Sequence, residues 1–433
     1  MVGKNNAMGK LVALIAIFIS CSTTKQSRTM QQNASADTSF IASLLRENQD
    51  LFAGILKNAK DLNVQVIYTR IDRNRDGVPE LTDHYYNVDP NRYFYPASTV
   101  KLPIVLLALQ KLNELKQQGI DMNTTMLTET DFSGQSPVYN DPTTPDGRPT
   151  IANYIRKILM VSDNDAFNRL YEFLGQEYIN NELKKKGYSS AQVLHRLDIF
   201  LTEEENRRTN PVKFYNGSSL QYSQASQKSD LKYVARMDSV GRGYYKGGSL
   251  VNGPMDFSKK NRIGLEDLHR ILRSVIFPEK VRPAERFNIT EADRRFILKY
   301  MSQYPTESVY PPYAADTVNY WPAYCKFLLF GGERGELPSN IRIFNKVGDA
   351  YGHMIDVAYI IDHKNKIEFF VSALIYCNSD GILNDDKYDY EQVGRPFMKN
   401  LGKVLYDYEL KRTYKNKPDL SPFIFTYDSI NSK

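Results

Sequence analysis

Strand-like segments gather near both ends of this chain, and helical spacing fills the long stretch between them. At the front, Val64, Val66 and Tyr68 alternate. At the back, 356–361 and 366–375 read as antiparallel strands joined at Asp362-His-Lys-Asn365. Helical spacing occupies 38–58, where Phe40, Ile41, Leu44, Leu45, Leu51, Phe52 and Ile55 share a face, and then 102–115, 151–160, 165–173, 265–276, 291–301 and 393–408. Strands that far apart can pair only if both ends of the chain build one sheet. The predicted fold class is therefore α+β, an α/β sandwich. One antiparallel sheet comes from N- and C-terminal segments and is flanked by helices, with a mostly helical domain inserted between the halves. The expected boundaries are 38–100 plus 335–410 for the sheet part and 101–334 for the helical part. Long polar loops fall at 126–149 and 203–258, and an irregular tail at 411–433.

With 433 residues and 42% hydrophobic composition the chain can bury a large core. Its net charge of +6 comes without a long basic run, which argues against nucleic acid as a partner. No metal or cofactor is expected. Cys21, Cys325 and Cys377 lack metal-ligand spacing, and the five histidines form no cluster. Cys325 and Cys377 are either a disulfide or two buried thiols. The run Asp72-Arg-Asn-Arg-Asp76-Gly77 resembles the start of a calcium loop, but Asp83 stands where a glutamate is usual, and a hairpin turn is the simpler reading.

The start of the chain carries an address. Lys4 and Lys10 precede an apolar run at 11–19, too short to span a bilayer. The segment Phe18-Ile-Ser-Cys21 resembles a bacterial lipoprotein cleavage box, so 1–21 reads as a signal peptide, Cys21 as the lipidated residue and 22–37 as a flexible tether. A plain secretory signal is the alternative. The lipoprotein reading implies a cell-envelope protein, periplasm-facing or on the outer membrane, attached through its lipid.

Three polar segments occur in a fixed order: Ser98-Thr-Val-Lys101, Ser162-Asp-Asn164 and Lys346-Val-Gly348. A serine hydroxyl needs a base within about 3 Å to act as a nucleophile. Ser98 and Lys101, three apart at a helix start, share a face. Lys101 becomes a base only if burial or a nearby cation, such as Lys346, lowers its pKa. Ser162 is placed to relay a proton and Asn164 to meet a substrate amide, although Ser-Asp-Asn before a helix also fits a simple N-cap. Lys346 would hold a substrate carboxylate. Val347, Gly348 and Asp349 would lie on an edge strand that substrate pairs with, and the N–H groups of Ser98 and Asp349 would form an oxyanion hole.

These segments and their flanks, Phe94-Tyr-Pro-Ala-Ser-Thr-Val-Lys-Leu-Pro103, Ser162-Asp-Asn-Asp-Ala-Phe-Asn168 and Lys346 through Gly352, resemble the penicillin-recognising serine hydrolases, close to the class A beta-lactamases. The resemblance covers roughly 38–410 and implies a beta-lactamase/transpeptidase-like fold. Two positions depart from the family pattern. Val347 replaces a hydroxyl residue that helps bind the substrate carboxylate. After Arg196-Leu-Asp198, the deacylating glutamate has no clean match; Glu203 is the nearest candidate, with Glu204 and Glu205 as alternatives and Asn206 as a partial match. The implied function is a monomeric serine hydrolase that acylates Ser98 with a beta-lactam or related amide and then hydrolyses the ester. The alternatives are a D-Ala-D-Ala peptidase or transpeptidase acting on cell-wall peptide, and a non-catalytic penicillin-binding or cell-envelope binding protein.

Overall fold

The computed structural model describes residues 40–428; the signal, lipidation and tether expectations for 1–37 lie outside them. A helix over 40–47, α1, is followed by α2 (Gln49–Asn58), where the spacing predicts one continuous helix. The break falls at Asn48, whose side chain donates back to the Leu44 carbonyl at 2.8 Å and competes with the backbone ladder.

The sheet has five antiparallel strands in the order β10 (Ile341–Ala350), β11 (His353–Asp362), β12 (Ile367–Tyr376), β1 (Gln65–Arg73), β2 (Pro79–Tyr86). The front strands thus join the back strands at β1–β12, through pairs such as Ile67 with Ser372. The turn between β1 and β2 is a hairpin, with the Asn74 carboxamide oxygen accepting from the N–H groups of Asp76 and Val78.

Every residue of β11 is buried, and all of β12 but Tyr376, because both faces of the sheet are covered. Period-two alternation divides their side chains. Ala358, Ile360, Phe369 and Val371 meet Phe52 of α2 and Phe397, Leu401 and Leu405 of α10 (Arg395–Lys411). Tyr359, Ile361, Phe370 and Leu374 meet Leu268 and Leu272 of α8 (Leu265–Ile276) and the helical part beyond. Each such aliphatic or aromatic side chain contributes roughly 1.5–3 kcal/mol by leaving water.

Between β2 and β10 lie α3 (Lys101–Glu114), β3 (Thr125–Thr128), α4 (Ile151–Val161), α5 (Asn164–Leu174), α6 (Gln176–Lys185), the short α7 (Glu203–Arg207) and α9 (Glu291–Ser302). Residues 101–110 of α3 are all buried, making it the axis of the helical part. The polar stretch after α7 folds into small sheets. β4 (Val212–Asn216) and β5 (Ser219–Gln224) extend β3, β6 (Ser239–Val240) pairs with β9 (Met255–Asp256), and β7 (Gly243–Lys246) pairs with β8 (Ser249–Asn252) and with β13 (Ile382–Leu383). The C-terminal segment is irregular but packed: Leu420 and Phe423 are buried in the helical core.

Candidate active site

Ser98 sits in a 3-10 turn, Ala97–Val100, that runs directly into α3. The turn is fixed by the Thr99 hydroxyl and N–H, which donate to the Pro96 carbonyl at 2.6 and 3.1 Å. Ala97, immediately before the serine, has φ +47°, a left-handed conformation that costs a non-glycine residue about 1–2 kcal/mol. Strain of this kind persists where surrounding packing holds it; here Tyr95, Phe257 and Leu383 enclose the buried Ala97.

Lys101, the first residue of α3, is wholly buried. Its Nζ lies 2.8 Å from Ser98 Oγ, 2.6 Å from Asn164 Oδ1 and 3.3 Å from Ser162 Oγ, and also contacts the Ser162 carbonyl. None of these partners is a carboxylate. Burial, followed by the nearby Lys346, holds the amine well below the usual lysine range.

Ser162 ends α4 in a left-handed conformation, φ +62°. Asp163 is the N-cap of α5, its carboxylate accepting from Ala166 N at 2.7 Å. The capping role open to the Ser-Asp-Asn segment thus belongs to its middle residue, which leaves the Ser162 hydroxyl and the Asn164 amide to face the two lysines.

Lys346, on β10, is nearly fully buried, and its Nζ donates to Ser162 Oγ at 2.7 Å and to the Val347 carbonyl at 2.8 Å. Burial pushes its pKa down to about 8, with the neighbouring Cys325, Asp356 and Asp349 opposing the shift. Two buried amines therefore flank one hydroxyl. Lys346 favours the charged form at neutral pH, and Lys101 is driven towards the neutral form. Gly348 lies against the nucleophile turn: a Cβ there would fall 2.8 Å from Pro96 O, Ser98 N and Thr99 N. β10 is the outer strand of its sheet among the described residues, and the Asp349 side chain is exposed on it.

The side chains of two singled-out positions lie away from this cluster. The Val347 side chain does not reach the site. It alternates with Lys346 and packs in the opposite cluster, with Met398 and Cys377, so only its backbone takes part. Glu203 is bound elsewhere, with its carboxylate 3.0 Å from Arg207 and 2.9 Å from Lys259. The alternatives are engaged too: Glu204 with Arg208 at 2.8 Å, and Glu205 with Ser133 at 3.1 Å and the α7 cap. No hydrogen bond joins any of the three to Ser98, Lys101, Ser162 or Asn164.

Arg196 and Asn206 act as anchors. The buried Arg196 guanidinium donates to Glu172 at 2.9 Å and to the carbonyls of Glu205 and Arg208 at 3.1 and 3.0 Å, while Asn206 Oδ1 accepts from Arg196 N at 2.9 Å. Asn168 of α5 clamps both backbone groups of Leu197, at 2.8 and 2.9 Å.

Sequence reasoning did not single out three features around this cluster. Tyr95, Tyr351 and Phe257 form an aromatic group beside the nucleophile turn, with centroids 5.0–5.9 Å apart. His195 stacks on Tyr95, and burial lowers its pKa to about 4, which leaves the ring uncharged. Behind Lys346, Lys326 donates to Asn345 Oδ1 at 2.6 Å, and Asn345 donates to Asp356 at 2.9 Å, tying β10 to β11 from below. Alternation places Asn345 opposite Lys346, but nothing in the sequence marks Lys326 as its partner. Cys325 and Cys377 are free, buried thiols. Among the described residues no group of His, Cys, Asp or Glu could hold a metal ion, and no helix is long and apolar enough to cross a membrane.

Residues 49–408 match the Beta-lactamase2 group, described as a beta-lactamase enzyme family, and the chain belongs to that family. No curated protein sequence matches it. Solved structures with similar folds include the beta-lactamase from Sphaerobacter thermophilus, at 12% identity, TM-score 0.44, covering 83% of this chain and 97% of that one. The beta-lactamase from Desulfarculus baarsii is 13% identical, TM-score 0.46, covering 87% and 99%. The class A beta-lactamase from Clostridium kluyveri is 15% identical, TM-score 0.45, covering 82% and 97%.

Proposed function

We propose that this protein is a serine hydrolase of the class A beta-lactamase type that acylates Ser98 with a beta-lactam or related amide. The observation that carries this reading is the Lys101 amine, fully buried without a carboxylate partner and 2.8 Å from Ser98 Oγ. In its neutral form the Nζ lone pair accepts the Ser98 proton as Oγ attacks the carbonyl carbon. The N–H groups of Ser98 and Asp349 receive the oxyanion. When the C–N bond breaks, the proton returns from Lys101 through Ser162 Oγ to the leaving nitrogen, a route supported by the position of that hydroxyl between the two amines. Lys346 supplies positive charge for a substrate carboxylate, and Asn164 Nδ2 is free to donate to the substrate amide while Oδ1 is held by Lys101.

The ester must then meet water. The occupied carboxylates of Glu203, Glu204 and Glu205 favour slow deacylation, which also supports a second reading: a peptidase or transpeptidase acting on cell-wall peptides, with a long-lived acyl-enzyme. In either case we place the protein in the bacterial cell envelope, anchored through a lipid on Cys21.

The test incubates the mature protein with a chromogenic cephalosporin and a fluorescent penicillin while turnover and intact mass are followed. A covalent adduct on Ser98, lost in Ser98→Ala, is expected. Fast release marks a beta-lactamase and a persistent adduct marks the second reading. Absence of any adduct with beta-lactams and with a D-Ala-D-Ala peptide would overturn both.

A further inference from the structure

Three arginines line a cavity that this chemistry does not use. Arg92, Arg236 and Arg262 line a space of about 160 Å³ together with Tyr93, Ser190 and Gly264, the residue that caps α8. Arg236 is held by Asp238 through bonds of 2.6 and 2.7 Å. Arg262 donates through Nε to the Ser190 carbonyl at 3.3 Å, but its Nη1 is buried and meets no acceptor of the protein. Arg92 is exposed and forms no ion pair among the described residues. The nearby Asp267 is already matched by Arg270 at 2.8 Å. Three cations face one carboxylate, which leaves an excess of two positive charges around a polar space.

Guanidinium N–H groups suit tetrahedral oxyanions, to which they bind in pairs. The space is several times the roughly 30 Å³ share of one water, enough for a phosphate group. A monovalent carboxylate would leave part of the charge uncompensated.

We propose that the cavity between Arg92, Arg236 and Arg262 binds a phosphate group, as inorganic phosphate or as the terminal monoester of a larger molecule. The site is separate from the Ser98 cluster and does not rest on the reading of that cluster.

Calorimetry on the mature protein, with inorganic phosphate titrated against chloride at equal ionic strength, tests it. Binding of one phosphate is expected, with Arg262→Gln and Arg92→Gln each weakening it about tenfold, the effect of losing one charge-assisted bond. Arg92 is exposed, so its variant keeps the fold if Arg262→Gln does not. Glycerol phosphate run in parallel separates the sources: tighter binding than inorganic phosphate points to a monoester, weaker binding to the free ion. Phosphate binding no stronger than chloride, binding unchanged in Arg92→Gln, or binding lost in Lys346→Met but kept in Arg92→Gln would each overturn the assignment. The last result would put the anion in the Ser98 pocket.

Discussion

Lys346 donates to the hydroxyl of Ser162 at 2.7 Å, and that same hydroxyl lies 3.3 Å from Lys101 Nζ. One oxygen thus stands between an amine whose pKa lies at about 8 and an amine that burial drives towards the neutral form. The pH dependence follows. Acylation should rise with pH as Lys101 loses its proton and fall above about 8 as Lys346 loses its own. In Lys346→Met the alkaline limb should disappear. The acid limb should move to higher pH, because removing a neighbouring positive charge raises the Lys101 pKa. Acylation rates measured across pH 5–10 check both shifts; an acid limb that stays in place would refute the electrostatic coupling.

Lys101→Arg should be nearly as inactive as Lys101→Ala. A guanidinium keeps its proton under all accessible conditions and cannot accept one from Ser98. A loss of about 10²–10⁴ in acylation rate is expected for both variants, the range for removing a general base. Stopped-flow acylation with a fluorescent penicillin reads it.

Gly348→Ala places a methyl group 2.8 Å from Pro96 O, Ser98 N and Thr99 N. All three are backbone atoms, so β10 or the nucleophile turn must shift. The expected result is an acylation rate reduced by about 10² with the protein still folded, since a 1 Å misplacement of reacting groups costs that much. Circular dichroism alongside the kinetics distinguishes displacement from unfolding.

Glu203→Gln should leave the lifetime of the acyl-enzyme unchanged, because this carboxylate pairs with Lys259 and Arg207. Mass spectrometry of the adduct over time reads the outcome. A trapped adduct would show that Glu203 does reach the bound acyl group.

Arg196→Met removes the hydrogen-bonded partner of the buried Glu172 and frees the carbonyls of Glu205 and Arg208. Arg169 stays 3.1 Å from Glu172, so the cost should fall towards the low end of the roughly 3–5 kcal/mol for breaking a buried pair. Limited proteolysis should then cut within 197–210 before it cuts elsewhere.

Much of this was readable in advance because periodicity reports burial. The spacing at 151–160 and 265–276 lies within α4 and α8, and the two C-terminal strands pair antiparallel as expected. The polar stretch 203–258 gave no such signal, since its strands are short and largely exposed and the neighbours that fix them, such as Ile382 and Leu383, are remote in sequence. Within the site, the order of residues named Ser98, Lys101, Ser162, Asn164 and Lys346, which the structure brings together. That Val347 faces away follows from alternation alone. The pairing of Glu203 with Lys259 does not, because it depends on where a distant loop returns.

The strand that carries Lys346 also bears on timing. The second amine belongs to a segment synthesised long after Ser98 and Lys101, and it reaches Ser162 only once β10 has docked on the rim of the sheet. A nascent or truncated chain ending before residue 341 would hold the serine and its base yet lack the charge that sets them apart. Such a fragment should stay chemically silent, so reactivity at Ser98 reports that the two ends of the polypeptide have met.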